Sequence, residues 1–343
     1  MNSPDDGIQF LSERDLLLAG ADDVDFYMSV ARDAFIAHYS GHVVQPNKLY
    51  LRWQEENRMN IMPALVLSEE RALGVKLVTS IPSNPSSRGI PRGNTMVMLL
   101  SPENGRPRAL LAGSKISAMR TAAVTALAAQ FLAIPNACRL GILGAGPIAA
   151  CHVQFLTRLF PSIETVCVFD VDSGRAARFC RSMSVAHNVR VFAADSVEAT
   201  VVPSDIVVTA TSSRTALLHS DILRPGTFWS NVGVTEVGED VIATADRVVV
   251  DDLQQCLKPH CPVAKALEAK TIVQRDIVEL AAIVAGESPG RRSPSETVVL
   301  TPIGLGMFDV LCAERLFHRA QALGLGDRFY VEQQAYDEFG VRL

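Results

Sequence analysis

The chain reads as α/β: a doubly wound parallel domain joined to a discontinuous α+β domain with an antiparallel sheet. Three observations predict this. Leu140-Gly-Ile-Leu-Gly-Ala-Gly-Pro-Ile-Ala149 is an apolar strand running into a glycine turn and the start of a helix. Beyond it, short apolar runs alternate with helical stretches, the pattern of a parallel sheet with crossover helices. Before it, longer strand-like runs follow one another without intervening helices, as in an antiparallel sheet.

Two helical stretches open the chain. The first starts at Ser12, a good N-cap residue, with Asp15 adding a favourable charge in the first turn and Gly20 ending it. The second runs from about Asp23 to Tyr39 with apolar residues at helical spacing. Strand-like runs follow at Lys48–Trp53, Arg58–Leu65, Gly74–Ser80 and Thr95–Leu100. Pro102-Glu-Asn-Gly105 is a turn, and Arg108–Leu111 returns from it. A long helix is predicted over Ser114–Ala133. After the strand at Leu140, apolar runs recur at Val166–Phe169, Val189–Phe192, Ile206–Ala210, Thr227–Val232 and Val248–Val250, making six strands with it. Gly286–Pro294 is a loop. Gly306–Leu323 is again helical and is expected to fold back onto the first domain, giving domains over 1–133 plus 306–343 and over 134–305.

Bulk properties exclude several classes. A net charge of −5 gives no reason to expect nucleic acid or an anionic membrane as partner. No apolar run reaches membrane-spanning length; the nearest, Thr121 to Ala137, is broken by Gln130 and Pro135. The polar, acidic start lacks a signal-peptide pattern, and seven cysteines are scattered without a framework, so a reducing cytoplasm is expected. Cys256, His260 and Cys261 lie together but lack a fourth ligand, so no metal is expected.

The turn at residue 144 carries the first chemistry. Gly144, Gly146 and Ala149 occupy the small positions of a G-x-G-x-x-A fingerprint. Gly144 permits the tight turn, Gly146 lets backbone approach a pyrophosphate on the helix N-terminus, and Ala149 permits close helix–strand packing. Thr165-Val-Cys-Val-Phe-Asp170 is the next strand and ends in an acid, about 20 residues on, where such folds hold the ribose hydroxyls. A carboxylate there repels a 2′-phosphate, so NAD is expected over NADP; Arg175 is near enough to pair with a phosphate, or is simply a solvated helix residue. Thr209-Ala-Thr211 ends the fourth strand with small hydroxyl residues that let a cofactor lie close, or forms an ordinary polar loop. Pro147, Ile148 and Val232 complete the predicted cofactor-binding set of this Rossmann domain.

The first domain is rich in cations: Lys48, Arg52, Arg58, Lys76, Arg88 and Arg92, with Lys115 and Arg120 in the following helix. Most are surface charge. Lys76 stands out because Leu73-Gly-Val-Lys-Leu-Val78 is otherwise apolar, and a lysine there is costly to bury unless an anion or a substrate pairs with it. Arg120 lies in the small-residue helix segment Ser117-Ala-Met-Arg-Thr-Ala-Ala123, where a guanidinium can clamp a carboxylate through two parallel hydrogen bonds.

These residues resemble the ornithine cyclodeaminase and mu-crystallin family. The likeness runs through Gly74–Val78, Gly89-Ile-Pro-Arg92, Ser117–Ala123, the fingerprint, Thr209–Thr211, Glu279-Leu280, Ala285–Arg291 and Thr301-Pro-Ile-Gly304. It implies a homodimer whose N-terminal sheets meet in a shared barrel, so that the first domain both binds substrate and dimerises, with the active site between the domains. It also implies that Lys76 and Arg120 hold a substrate carboxylate, with Lys48 at a third substrate position. Cyclodeaminases resemble one another in a catalytic aspartate after the fifth strand. In Asn231-Val-Gly-Val-Thr-Glu-Val-Gly238, Thr235 falls on that position and Glu236 is next to it. A closer resemblance is to the branch that oxidises N-(2-amino-2-carboxyethyl)-L-glutamate on the way to 2,3-diaminopropionate for siderophores and peptide antibiotics. Its three-carboxylate substrate suits the cations around Lys48, Arg52 and Arg92. Lys76 and Glu236 are then the candidate catalytic residues, and Lys48, Lys76, Arg92 and Arg120 the candidate substrate-binding ones. An ornithine or lysine cyclodeaminase, an imine reductase or amino-acid dehydrogenase, and a non-catalytic nucleotide-binding protein are the alternatives.

Overall fold

The computed structural model describes residues 7–54, 56–258 and 261–330. By contacts the chain forms two compact units: the described residues of Met1–Asp23, His42–Ser117 and Gly306–Leu343 in one, and Val24–Gly41 with Ala118–Leu305 in the other.

The first unit contains β1 (Gly7–Leu11) and α1 (Glu13–Leu18), after which α2 (Val24–Tyr39) passes to the second unit. It continues with β2 (Val43–Val44), β3 (Leu49–Trp53), β4 (Asn57–Leu67), β5 (Arg71–Ser80), α3 (Asn84–Arg88), β6 (Gly93–Leu100), β7 (Pro107–Ala112) and the start of α4 (Ser114–Leu132). Ser12 caps α1 as read from sequence: its hydroxyl accepts from the Asp15 N–H, and the Asp15 side chain accepts from the Ser12 N–H. Strands β7, β6, β5 and β4 form an antiparallel meander, and β3 adds to β4. Alternation along β5 turns Ala72, Gly74 and Lys76 inward together. Strand β1, which no sequence pattern announces, pairs parallel to β7.

The second unit is built on an all-parallel sheet. Its elements are β8 (Arg139–Leu143), α5 (Pro147–Leu159), β9 (Thr165–Phe169), α6 (Ser173–His187), β10 (Arg190–Ala193), α7 (Val197–Val201), β11 (Ile206–Thr209), β12 (Phe228–Asn231) and α8 (Glu239–Thr244). Then come β13 (Arg247–Val250), α9 (Leu253–Cys256), α10 (Pro262–Glu268), β14 (Ile277–Glu279), α11 (Leu280–Val284) and β15 (Val298–Thr301). The strand order is β10-β9-β8-β11-β12-β15-β13-β14. The six predicted strands are present, and two more join them: β15 inserts between β12 and β13, and β14 forms the edge. Val298, Val299 and Leu300 are fully buried, so β15 shows no alternation. Helix α2 packs on α11, which places it with this unit.

The last elements, α12 (Gly306–Ala322) and β16 (Asp327–Tyr330), return to the first unit. Helix α12 lies on β4, β5 and β6, and β16 pairs with β1. Among the described residues no helix is long and apolar enough to cross a membrane. His260 lies outside the described residues; Cys256 and Cys261 are both buried free thiols.

Candidate active site

The fingerprint turn follows from its backbone. Gly144 has φ +95°, and a Cβ there would collide with the Ala210 carbonyl, so only glycine fits. Gly146 is the N-cap of α5, is extended at φ −102°, ψ 179°, and has open space where a side chain would stand. Pro147 opens the helix without a donor to waste, Ile148 is partly exposed on the first turn, and no side chain caps the helix end. The turn thus presents backbone donors and the positive end of a 13-residue helix to unobstructed space.

Asp170 follows β9 and braces this turn. Its carboxylate accepts from the Ala145 N–H and the Asp172 N–H, each at 2.9 Å. Arg175, half exposed on α6, places its guanidinium 3.8 Å from Asp170 and 3.7 Å from Asp172. A mostly buried acid at the rim of a glycine turn fits a ribose diol, and the open space at Gly146 fits a pyrophosphate, so the residues present suit a dinucleotide.

Beside the turn, the ends of β11 and β12 are tied together. The Val232 and Gly233 N–H groups donate to the Thr209 carbonyl at 3.0 and 3.2 Å. Glu236 is fully buried. Its Oε1 accepts from both the N–H and the hydroxyl of Thr211 at 2.7 Å, and its Oε2 from the Thr209 hydroxyl at 3.2 Å. Burial pushes its pKa above the usual carboxylate value despite these donors. The Thr235 hydroxyl donates to the Ser213 carbonyl at 2.8 Å.

In the first unit Lys76 is 2% exposed, as its apolar context on β5 dictates. Its Nζ stands 2.9 Å from Oδ1 of Asp309 on α12 and donates to the Ser117 hydroxyl at 2.7 Å. The anion that makes burial tolerable is thus a protein carboxylate, itself fully buried. Arg92, beside the start of β6, donates to the Ser80 hydroxyl at 3.1 Å, and Lys48 is half-buried just before β3. In the second unit Arg120 is buried, with its guanidinium against Gly304. Asp251 holds the backbone under it: its carboxylate accepts from the Ile303 and Gly304 N–H groups at 2.9 and 2.7 Å.

Asp309 is not among the residues singled out from the sequence, and Asp251 carries no assigned role there. Each had a signal of the kind that exposed Lys76, a charge inside an apolar run: Met307-Phe-Asp-Val-Leu311 and Val248-Val-Val-Asp251.

A parallel sheet with a glycine turn at the β8–α5 junction and a carboxylate ending the next strand defines a dinucleotide-fold protein. Within that class the chain belongs to the ornithine cyclodeaminase/mu-crystallin family, whose model matches residues 21–323. It is 32% identical over 324 residues to an N-((2S)-2-amino-2-carboxyethyl)-L-glutamate dehydrogenase of Staphylococcus aureus, covering 92% of this chain and 96% of that one. A Delta(1)-pyrroline-2-carboxylate reductase of Thermococcus litoralis, solved with NADH and L-proline, superposes with a TM-score of 0.87 at 26% identity, covering 93% of this chain and 99% of that one. An archaeal alanine dehydrogenase dimer with bound NAD superposes with a TM-score of 0.85 at 26% identity, covering 95% and 100%.

Proposed function

We propose that this chain is an NAD-dependent oxidoreductase acting on a carbon–nitrogen bond, and that its substrate is N-(2-amino-2-carboxyethyl)-L-glutamate. The observation that carries the choice is the turn after β12. Glu236 is the one acid in Asn231–Gly238, and its carboxylate is buried against Thr209 and Thr211. Thr235 cannot serve as a base at neutral pH, and its hydroxyl is committed to Ser213. Cyclodeamination needs a group at this turn to activate a side-chain amine; Thr235 cannot supply it, and the Glu236 carboxylate is already engaged by Thr209 and Thr211. Oxidation with hydrolysis has no side-chain amine to activate for attack, and likeness to the staphylococcal dehydrogenase along 92% of the chain supports it.

In this reading Gly144, Gly146, Pro147 and Ile148 cradle the pyrophosphate, Asp170 and Arg175 receive the adenosine ribose, and Thr209, Thr211 and Val232 border the rest of the cofactor. Bound NAD+ supplies the hydride acceptor. Arg120 clamps one carboxylate in bidentate fashion, and the Lys76 ammonium, oriented by Asp309 and Ser117, receives another. Lys48 and Arg92 take the remaining negative charge. Hydride leaves the glutamate Cα and the secondary amine loses its proton. Water adds to the resulting imine, and collapse breaks the carbon–nitrogen bond. Substrate, NAD+ and water become 2-oxoglutarate, 2,3-diaminopropionate, NADH and a proton. Such a product suits siderophore or peptide-antibiotic assembly in the cytoplasm, and we place the chain there as a homodimer.

The test is absorbance at the NADH band with the purified protein, NAD+ and either N-(2-amino-2-carboxyethyl)-L-glutamate or ornithine. NADH from the first alone is expected. Ammonia from ornithine without net NADH would overturn the reading in favour of a cyclodeaminase.

A further inference from the structure

The turn after β12 holds a strained residue. Val234 has φ +74°, a left-handed conformation that a β-branched side chain adopts only when its surroundings force it. Three contacts hold it there. The Asn231 side-chain amide donates to the Val234 carbonyl at 2.8 Å, the Val234 N–H reaches the Asn231 carbonyl at 3.3 Å, and the valine side chain packs on the buried core.

The strained backbone brings Glu236 back beneath Gly233. A Cβ at Gly233 would fall on the Glu236 carboxylate, so glycine is what lets the acid lie there. From this place Glu236 takes three donors from Thr209 and Thr211, and its own carbonyl accepts from the Leu217 and Leu218 N–H groups at 2.7 and 3.0 Å. Asn231 also accepts from the Thr209 hydroxyl at 3.3 Å. The bonds to Thr209 and Thr211 join the turn after β12 to the end of β11, and those from Leu217 and Leu218 tie it to the loop that follows. In doubly wound folds the ligand lies beyond these carboxyl ends.

From this strain and this bonding we infer that Glu236 is a positioning residue, not a catalytic base: the Val234 conformation loads it under Gly233, and it fixes the Thr209–Ser213 segment that borders the cofactor. The inference rests on the proposed dinucleotide reading. It makes a sharp distinction between charge and shape. A glutamine keeps an acceptor oxygen for both Thr211 donors, and the Thr209 hydroxyl can turn to Asn231. A base cannot be replaced in this way.

The experiment measures NADH affinity by fluorescence, turnover by absorbance, and folding by thermal melting, for the unaltered chain and for E236Q, E236V, G233A and the G233A/E236V pair. E236Q is expected to bind NADH and turn over within about threefold of the unaltered chain, with the same pH profile. E236V is expected to weaken NADH binding by tenfold or more, on the order of what displaced site backbone costs. G233A keeps the acid and moves it, so it should match E236V, and the double variant should be no worse than either single one, since both remove one contact. A large loss of turnover in E236Q with NADH affinity intact would make Glu236 a base and overturn the inference. So would a folded E236V or G233A with unaltered NADH affinity. Failure of the unaltered chain to bind NADH overturns the dinucleotide reading itself, and this inference with it.

Discussion

Lys76 and Asp309 are a buried ion pair, 2% and 0% exposed, 2.9 Å apart. Such a pair adds little net stability over an apolar substitute, because desolvation offsets the attraction, yet removing one partner strands a charge. Asp309→Ala should therefore destabilise the chain by about 3–5 kcal/mol, and Lys76→Met by a similar amount. The double variant K76M/D309L should recover most of that loss in a denaturant melt while remaining inactive toward substrate. Full turnover in the stable double variant would show that the pair is architectural and that Lys76 does not bind the substrate. The sequence exposed the lysine because four apolar neighbours flanked it on one strand. It did not name its partner, because β5 and α12 are separated by more than 220 residues of chain, and no local pattern records which helix lies over which strand.

Among the elements, α4, α5 and β12 are linked by a buried polar chain through His152. A carbonyl only accepts, so Nδ1 of His152 carries the proton in its 2.8 Å bond to the Ile148 carbonyl. In the neutral ring Nε2 then accepts from the Thr125 hydroxyl at 3.1 Å, and the Ser230 hydroxyl donates to Thr125 at 2.8 Å. Burial, slightly opposed by the Ile148 carbonyl, lowers the imidazole pKa from 6.5 to about 4. The folded pKa lies below the unfolded one, so the unfolded chain binds the proton first as pH falls. Stability contributed by the neutral ring is present above pH 6.5 and is lost as pH falls towards about 4. At ~1.4 kcal/mol per pH unit the loss is on the order of 3 kcal/mol. Denaturant melts at steps between these pH values should show that slope in the unaltered chain and lack it in His152→Gln. The same slope in both would place the titration elsewhere.

The elements themselves were the most legible part of the fold. The Ser12 cap, the long α2, α4 and α12, and the β6–β7 hairpin follow from capping residues, helical spacing and an Asn-Gly step, all local signals. Strand β14 is only three residues long, and β15 follows a loop rich in Ser, Pro and Arg rather than a crossover helix, so neither gives the strand–helix alternation that marks β9, β10 and β11. The fingerprint and Asp170 were read directly. The inward turn of Glu236 was not, because it depends on a strained φ at Val234 that no residue preference predicts.

Taken as a whole molecule, the chain leaves apolar surface on the first unit that a solitary protein would be expected to cover. Among the described residues strand β3 pairs only with β4, which makes it an edge. Leu49 and Leu51, two residues apart and so on one face, are 60% and 52% exposed, and Val44 on β2 is 57% exposed. An edge strand with an apolar pair is a template for association unless something covers it. The proposed homodimer supplies that cover if this sheet is the one that meets its copy. The double variant L49E/L51E should then run as a monomer in light scattering at concentrations where the proposed dimer of the unaltered chain forms. It should also keep its fold by circular dichroism, since neither leucine contributes to the core. Single exposed-site charges of this kind normally change stability by less than about 0.5 kcal/mol, so unfolding would itself be informative. It would show that these leucines are buried by the chain's own residues in solution. A dimer that persists through both substitutions would move the interface to another surface and leave β3 as an exposed edge that carries the charge of Arg52, whose guanidinium lies over Tyr50.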